Sequence, residues 1–325
     1  MTRRRVYRVI LTSGLLLGVM CVCLAGIAWL LREPLRQGGY GRRLFGATYM
    51  TMDNPYFEIL NTSLKELIEA RGDRLITRDP ANSQSKQNSQ ILDMLDAGVQ
   101  LLFINPVNCK TISPALEICH DKGIPFIIVD TGVELDEYAA CTIVSDNYQA
   151  GKLIATDLLG KRQEARIVVL YDQGIKATNL RLQGFLDALD AVSFPYRIVY
   201  TAGGATLLHE TMVEMQKFLS LDLDFDVVFG GNDPAALGAL AAIENNHRGQ
   251  GQLIYGIDGS PSGKLMVRQG KLEATAAQFP SQLAHLAVEA AYTYLDGGTI
   301  EHSISIPTEL VTKSTADAFP LTGWQ

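Results

Sequence analysis

The sequence predicts an α/β protein of two lobes, each built on a doubly wound parallel sheet covered by helices. Three observations carry this expectation. The chain has 325 residues, more than one hydrophobic core usually serves. Short apolar strands alternate with helical stretches of roughly 10–15 residues, the pattern of βαβ units. The strand ends carry asparagine, aspartate and glutamine again and again, at the place where open α/β sheets bind ligands.

The elements follow in order. Residues 44–50 are apolar enough for a buried strand, and 55–72 read as an amphipathic helix that stops on glycine. Further strands are expected at 75–77, 100–104, 125–129 and 141–144, with helices at 83–97, 113–122 and 148–159. The second half repeats the alternation: strands at 166–171, 196–200, 226–229, 253–257 and 274–277, and helices at 179–191, 208–220, 234–246, 261–269 and 282–295. About ten strands in this length fit two sheets better than one giant sheet.

Composition narrows the function. Hydrophobic residues make up 47% and charged residues 19%, which excludes a disordered or disulfide-dense chain. The net charge of −7 hides an asymmetry, because residues 1–36 hold six arginines against Glu33 and leave the rest at −12. So acidic a body repels polyphosphate, and no nucleic-acid partner is expected. Residues 9–31 form a run of 23 uncharged, mostly apolar residues, spanning about 34 Å as a helix against about 30 Å of hydrocarbon. Four arginines precede it, which places the N-terminus inside and the rest outside. Residues 1–36 are therefore expected to be a cytoplasmic stub and transmembrane anchor, with a signal peptide as the competing reading. The location that follows is extracytoplasmic, on the outer face of the membrane or in the periplasm.

Five scattered histidines give no metal-ligand spacing, so no metal and no cofactor are expected. Reading the strand ends yields Asp53 to Phe57, Asn105-Pro106, Asp130-Thr131, Ser145 to Asn147, Asn232-Asp233, Asp258-Gly259 and finally Gln278. This set contains carboxylates, carboxamides and two aromatics, with no lysine, histidine or cysteine nucleophile. Carboxylates accept hydroxyl protons, amides donate and accept, and aromatic rings cover C–H faces, which suits a neutral polyol.

Here the sequence resembles the periplasmic sugar-binding proteins of the ribose-binding type, from about Phe45 to Thr312. The resemblance rests on 53–57 (Asp-Asn-Pro-Tyr-Phe), 104–106, 143–147, 232–240 and 256–261. It implies a type I periplasmic binding fold: two Rossmann-like lobes joined by a three-strand hinge, with crossovers near Asp146, Gln278 and Ile306. The implied division is 43–146 plus 279–306 for the first lobe and 147–278 plus 307–320 for the second. The implied sugar contacts are Asn54, Tyr56, Phe57, Asn105, Asp130, Asn232, Asp258 and Gln278. Thr131 and Asn179 are assigned to positions where ribose receptors carry arginines, Arg181 is read as structural, and the aromatic plate expected near 201–205 is missing. Losing guanidinium forks should change which hydroxyl pattern fits.

The expected function is closure around a monosaccharide, a pentose or hexose, and delivery to the permease of an ABC sugar transporter. The rival is a tethered sensor read by a sensor kinase or chemoreceptor. A LacI-type regulator would need a basic helix-turn-helix where this chain has its apolar run. An enzyme would need a carboxylate pair with an evident raised-pKa acid, whereas Asp130 and Asp258 are placed on opposite lobes. A disulfide between Cys119 and Cys141 is expected, with Cys109 free, since helix 113–122 and strand 141–144 bring both to the bottom of the first lobe.

Overall fold

Strands with apolar side chains on both faces must be covered on both faces, and this sets the architecture. The computed structural model describes residues 42–204, 206–246 and 251–325. Its large compact unit is Leu44–Gln325. The expected anchor at 9–31 lies outside the described residues. Among those described, no helix is long and apolar enough to cross a membrane.

The first sheet contains β1 (Leu44–Thr48), β2 (Arg74–Arg78), β3 (Leu101–Ile104), β4 (Phe126–Asp130), β5 (Cys141–Ser145) and β11 (Ser303–Ile306), in the order 11-5-4-3-1-2. All its pairings are parallel. The second contains β6 (Ala165–Tyr171), β7 (Tyr196–Gly203), β8 (Val227–Gly230), β9 (Leu253–Asp258), β10 (Ala274–Ala277) and β12 (Glu309–Thr312), in the order 12-10-9-8-6-7. Only β12 runs antiparallel to its neighbour. The chain passes between sheets after β5, after β10 and after β11. The order reverses between β1 and β3 in one sheet and between β6 and β8 in the other, the switch points where crevices form.

In the first sheet, β3 and β4 are buried throughout. Alternate residues go to opposite faces. Phe103, Ile127 and Val129 pack with α1 (Pro55–Glu69) and α9 (Pro280–Leu295). Leu102, Phe126 and Ile128 pack with α2 (Gln84–Asp96) and α3 (Ser113–Asp121).

This alternation removes the expected disulfide. Cys119 sits in the α3 side core with Phe126 and Ile128, whereas Cys141 sits in the opposite core with Ile127 and Ile143. The sheet lies between them, and Cys109, Cys119 and Cys141 are all free and buried. Position along the strands was read correctly as a shared end, but the side chains leave opposite faces. Burial pushes the Cys119 thiol up to about 12 and that of Cys141 up to about 11, so both are inert neutral groups.

In the second lobe α4 (Asn147–Leu159) and α5 (Lys176–Asp190) touch at backbone distance. A Cβ at Gly184 would collide with the carbonyl of Tyr148, and one at Gly151 with the carbonyl of Arg181. The remaining helices are α6 (Leu208–Ser220), α7 (Asp233–Asn245) and α8 (Pro261–Arg268). Gly184→Ala should therefore force α4 and α5 apart and cost about 1–3 kcal/mol in a urea melt. An unchanged midpoint would show that the helices can slide without loss. Two edge strands, β11 and β12, have no clear signal in the sequence. Their exposed positions carry serine and glutamate, and pairing to β5 and β10 makes them strands.

Candidate functional site

The carboxyl ends of both sheets converge on a cavity with about 470 Å³ of empty space. Sheet register explains which residues arrive there. Thr48 pairs with Ile104, so Asn105 follows beside the chain leaving β1. Asn105 accepts from the N–H of Met50 at 3.0 Å and donates to Oδ2 of Asp130 at 2.9 Å. Its own carbonyl accepts from buried Gln87 at 2.8 Å. Ala277 pairs with Asp258, so Gln278 follows alongside and donates to Oδ1 of Asp258 at 2.8 Å.

From the first lobe, Asn54, Tyr56, Phe57 and Asp130 line the cavity. Asn54 caps α1 by accepting from the N–H of Tyr56 at 3.0 Å, with Pro55 opening the helix. This turn aims Tyr56 and Phe57 inward, where they meet edge to face at 5.5 Å between centroids. From the second lobe come Arg181, Asn232, Asp258 and Gln278. Asn232 caps α7 through the N–H of Ala235 at 2.9 Å and donates to the carbonyl of Thr206 at 3.0 Å.

Of the residues expected from the sequence, Asn54, Tyr56, Phe57, Asp130, Asn232, Asp258 and Gln278 are brought together here, and three stand apart. Asn105 holds Asp130 from behind and does not line the space. Thr131 is buried and accepts from the N–H of Ala177 at 2.9 Å, so it bridges the lobes. Asn179 donates to the carbonyl of Gln173 at 2.9 Å, outside the cavity. The reason is a helix start. α5 begins at Lys176 rather than 179, and its N-cap Ile175 has no side-chain cap bond. Thr131 supplies that cap from the other lobe. Ala177, Thr178 and Arg181 then share the cavity face, and Asn179, about 100° round the helix, does not.

Arg181, read from the sequence as structural, also lines the cavity. It is buried, and it donates from Nε to Oδ1 of Asn147 at 2.7 Å and from Nη1 to the carbonyl of Gly231 at 2.7 Å. Nη1 also stands 3.7 Å from Oδ1 of Asp258. The usable signal was its position three residues before Gly184, one helical turn from the glycine contact. In place of the missing aromatic plate, Thr206 and Leu207 form the wall.

The electrostatics are dominated by buried acid. Burial pushes the Asp130 carboxyl up to about 6, with Arg181 opposing. Burial and the neighbouring Asp233 carboxylate hold Asp258 well above the usual carboxylate range, again against Arg181. Asp233 itself accepts from Ser260 N–H at 2.8 Å, Ser260 Oγ at 2.7 Å and Thr275 Oγ1 at 2.6 Å. One lining atom, Oε1 of Gln278, is buried without a hydrogen-bond partner, whereas the Tyr56 hydroxyl interacts with the Asp130 carboxylate. Such an unpaired group costs free energy unless something else satisfies it.

A pH prediction follows with a definite sign. The unfolded pKa of aspartate is about 3.9, so Asp130 binds its proton more tightly when folded. Its stabilising proton is fully present below about pH 4 and is lost as pH rises through about 6. The ligand-free protein should be more stable at pH 4 than at pH 7, by up to about 3 kcal/mol from this group. Asp130→Asn should lack that part of the slope in paired melts. Identical slopes would remove Asp130 as its source.

Across the cleft, Lys176 Nζ donates to the carbonyl of Val133 at 2.8 Å and the N–H of Cys109 donates to the carbonyl of Gly174 at 2.9 Å. With the Thr131 cap these contacts shut one rim. Thr131→Ala should weaken closure by about 1 kcal/mol, the usual value of an N-cap, and Thr131→Ser should restore it. Distances between spin labels on the two lobes are the check. A distribution unmoved by Thr131→Ala would disprove the latch.

Two α/β lobes around a polar, buried crevice define a receptor that encloses a small solute. The chain belongs to the periplasmic binding protein family, whose domain model matches residues 45–299. It is 32% identical over 314 residues to the ribose import binding protein of Bacillus subtilis, covering 95% of this chain and 99% of that one. Against the ribose import binding protein of Escherichia coli the identity is 30% over 266 residues, 81% and 88% of the two chains. Among solved structures, an ABC transporter solute binding protein from Mycobacterium smegmatis with bound glycerol superposes with a TM-score of 0.81 at 27% identity, covering 88% of this chain and all of that one. The arabinose-transporter binding protein of Shewanella sp. ANA-3, bound to arabinofuranose, gives 0.78 at 25% identity over 85% and 93%. This is a sugar-receptor type of protein and not an enzyme.

Proposed function

We propose that the chain is an extracytoplasmic receptor that closes around a monosaccharide, a pentose or hexose, and delivers it to an ABC sugar transporter. In this reading Asn54, Tyr56, Phe57, Asp130, Arg181, Asn232, Asp258 and Gln278 contact the sugar. The observation that supports it most is the unfinished polar lining. Gln278 Oε1 is buried and unpaired beside Tyr56 and two carboxylates, and ring hydroxyls would complete it. Among the described residues Arg181 is the only lysine or arginine lining the cavity, and Thr131 spends its hydroxyl on α5. With an arginine missing after Asp130, the hydroxyl pattern should differ from that of ribose. The curated relatives above are import proteins, which favours transport over sensing.

The test is thermal shift and calorimetry of residues 42–325 against pentoses, hexoses and furanose forms. A sugar that raises the melting temperature and binds one to one is the expected result. No binding by any of them would overturn the reading. The run 9–31 further supports a tethered form; membrane fractionation with N-terminal sequencing checks it, and a mature start between residues 22 and 42 would show cleavage.

A further inference from the structure

Beside the sugar cavity lies a second hollow with about 910 Å³ of empty space. Asn54, Leu207 and Asp258 line both, so the groove starts where the cavity wall ends. Its character is different. Pro55, Leu207, Leu208, Pro234, Leu237 and Trp324 line it together with Asp53 and Asp258, and among the described residues no lysine or arginine does. Leu208 is 45% exposed there. A monosaccharide satisfies the cavity's polar atoms but offers nothing to this apolar strip.

Trp324 is held in place by a built support. Lys264 on α8 is fully buried, and its Nζ donates to the carbonyl of Gly323 at 2.9 Å and to Oε1 of Gln325 at 2.7 Å. Gln325 Nε2 in turn donates to the carbonyls of Asp258, at 3.2 Å, and Gln278. A buried ammonium needs these acceptors, so the two residues flanking Trp324 are pinned behind the site. The indole meets the ring of Tyr56 edge to face at 5.4 Å between centroids. This segment lies beyond residues 45–299, the stretch matched by the family model.

We infer that the groove takes an aromatic aglycone, making the ligand an aryl glycoside whose sugar occupies the cavity. The inference rests on the sugar reading above. A rigid indole, prolines and leucines give an aromatic ring apolar contact, and burying one ring removes enough apolar surface from water for roughly tenfold or more in affinity.

Calorimetry with a panel of methyl and phenyl glycosides of common pentoses and hexoses, alongside the free sugars, is the test. For the sugar that fits, the phenyl glycoside should bind at least about tenfold more tightly than the methyl glycoside. That ratio should fall toward one in Trp324→Ala and in Leu208→Ser, the latter an exposed position that leaves Tyr56 untouched. A ratio of one or below in the wild type, with free sugar still bound, overturns the groove and leaves the sugar reading standing. Binding of a phenyl glycoside where the free sugar is too weak to detect supports it. Failure of every sugar and glycoside overturns both.

Discussion

Arg181→Met should destabilise the protein by about 3–5 kcal/mol, the largest effect expected of any single change in the site. Arg181 is the cation facing Asp258, and its electrostatic influence also reaches Asp130 and Asp233. Removing one partner of a buried pair leaves the other charge uncompensated. Two acceptors, Asn147 Oδ1 and the carbonyl of Gly231, would lose their donor as well. Methionine fills the stem without replacing either bond. Denaturant melts at pH 7 measure the loss, and adding Asp258→Asn to Arg181→Met should recover a large part of it. A single mutant as stable as wild type, or a double mutant with additive losses, would rule out charge compensation as the role of Arg181.

Asp258→Ala should weaken sugar binding by about 2–4 kcal/mol, roughly 30-fold to nearly 1,000-fold, while leaving the ligand-free protein as stable or more so. The two halves have different causes. A bound hydroxyl would lose a charge-assisted acceptor, and Gln278 would lose the partner of its Nε2. In the free protein, however, the Asp258 carboxylate is opposed by burial and by Asp233, and its removal relieves both while Arg181 keeps Asp130 and Asp233 as counter-charges. Calorimetry and melts on the same preparation separate these effects. Unchanged sugar affinity would take Asp258 out of the binding site.

The sign of that trade distinguishes a binding site from a stabilising cluster. Structural carboxylates are usually satisfied, as Asp233 is by three donors. Asp130 and Asp258 are kept in a place that folding alone would not choose, a common mark of ligand sites. The left-handed backbone at Asp130, with φ of 68°, is a second local departure at the same residue.

The sequence by itself determined what depends on neighbours in the chain. Continuous apolar runs such as Leu101–Ile104 and Phe126–Asp130 declare strands buried on both faces. Asn54-Pro55 and Asn232-Asp233-Pro234 declare helix starts directly after strands, and a helix start at a strand's carboxyl end is where such a fold gathers ligands. That is why the lining residues Asn54, Tyr56, Asp130, Asn232, Asp258 and Gln278 were legible. Only the tertiary structure decided what depends on facing and on the other lobe. Whether Cys119 can reach Cys141 turns on side-chain parity across a sheet. Whether Asn179 or Arg181 faces the cavity turns on where α5 begins, and a threonine 46 residues earlier caps that start across the cleft. The placement of Trp324 beside Tyr56 is set by buried Lys264, a partner 59 and 61 residues from the atoms it holds. Local propensity reports spacing along one element; it carries no information about contacts that exist only once two lobes meet.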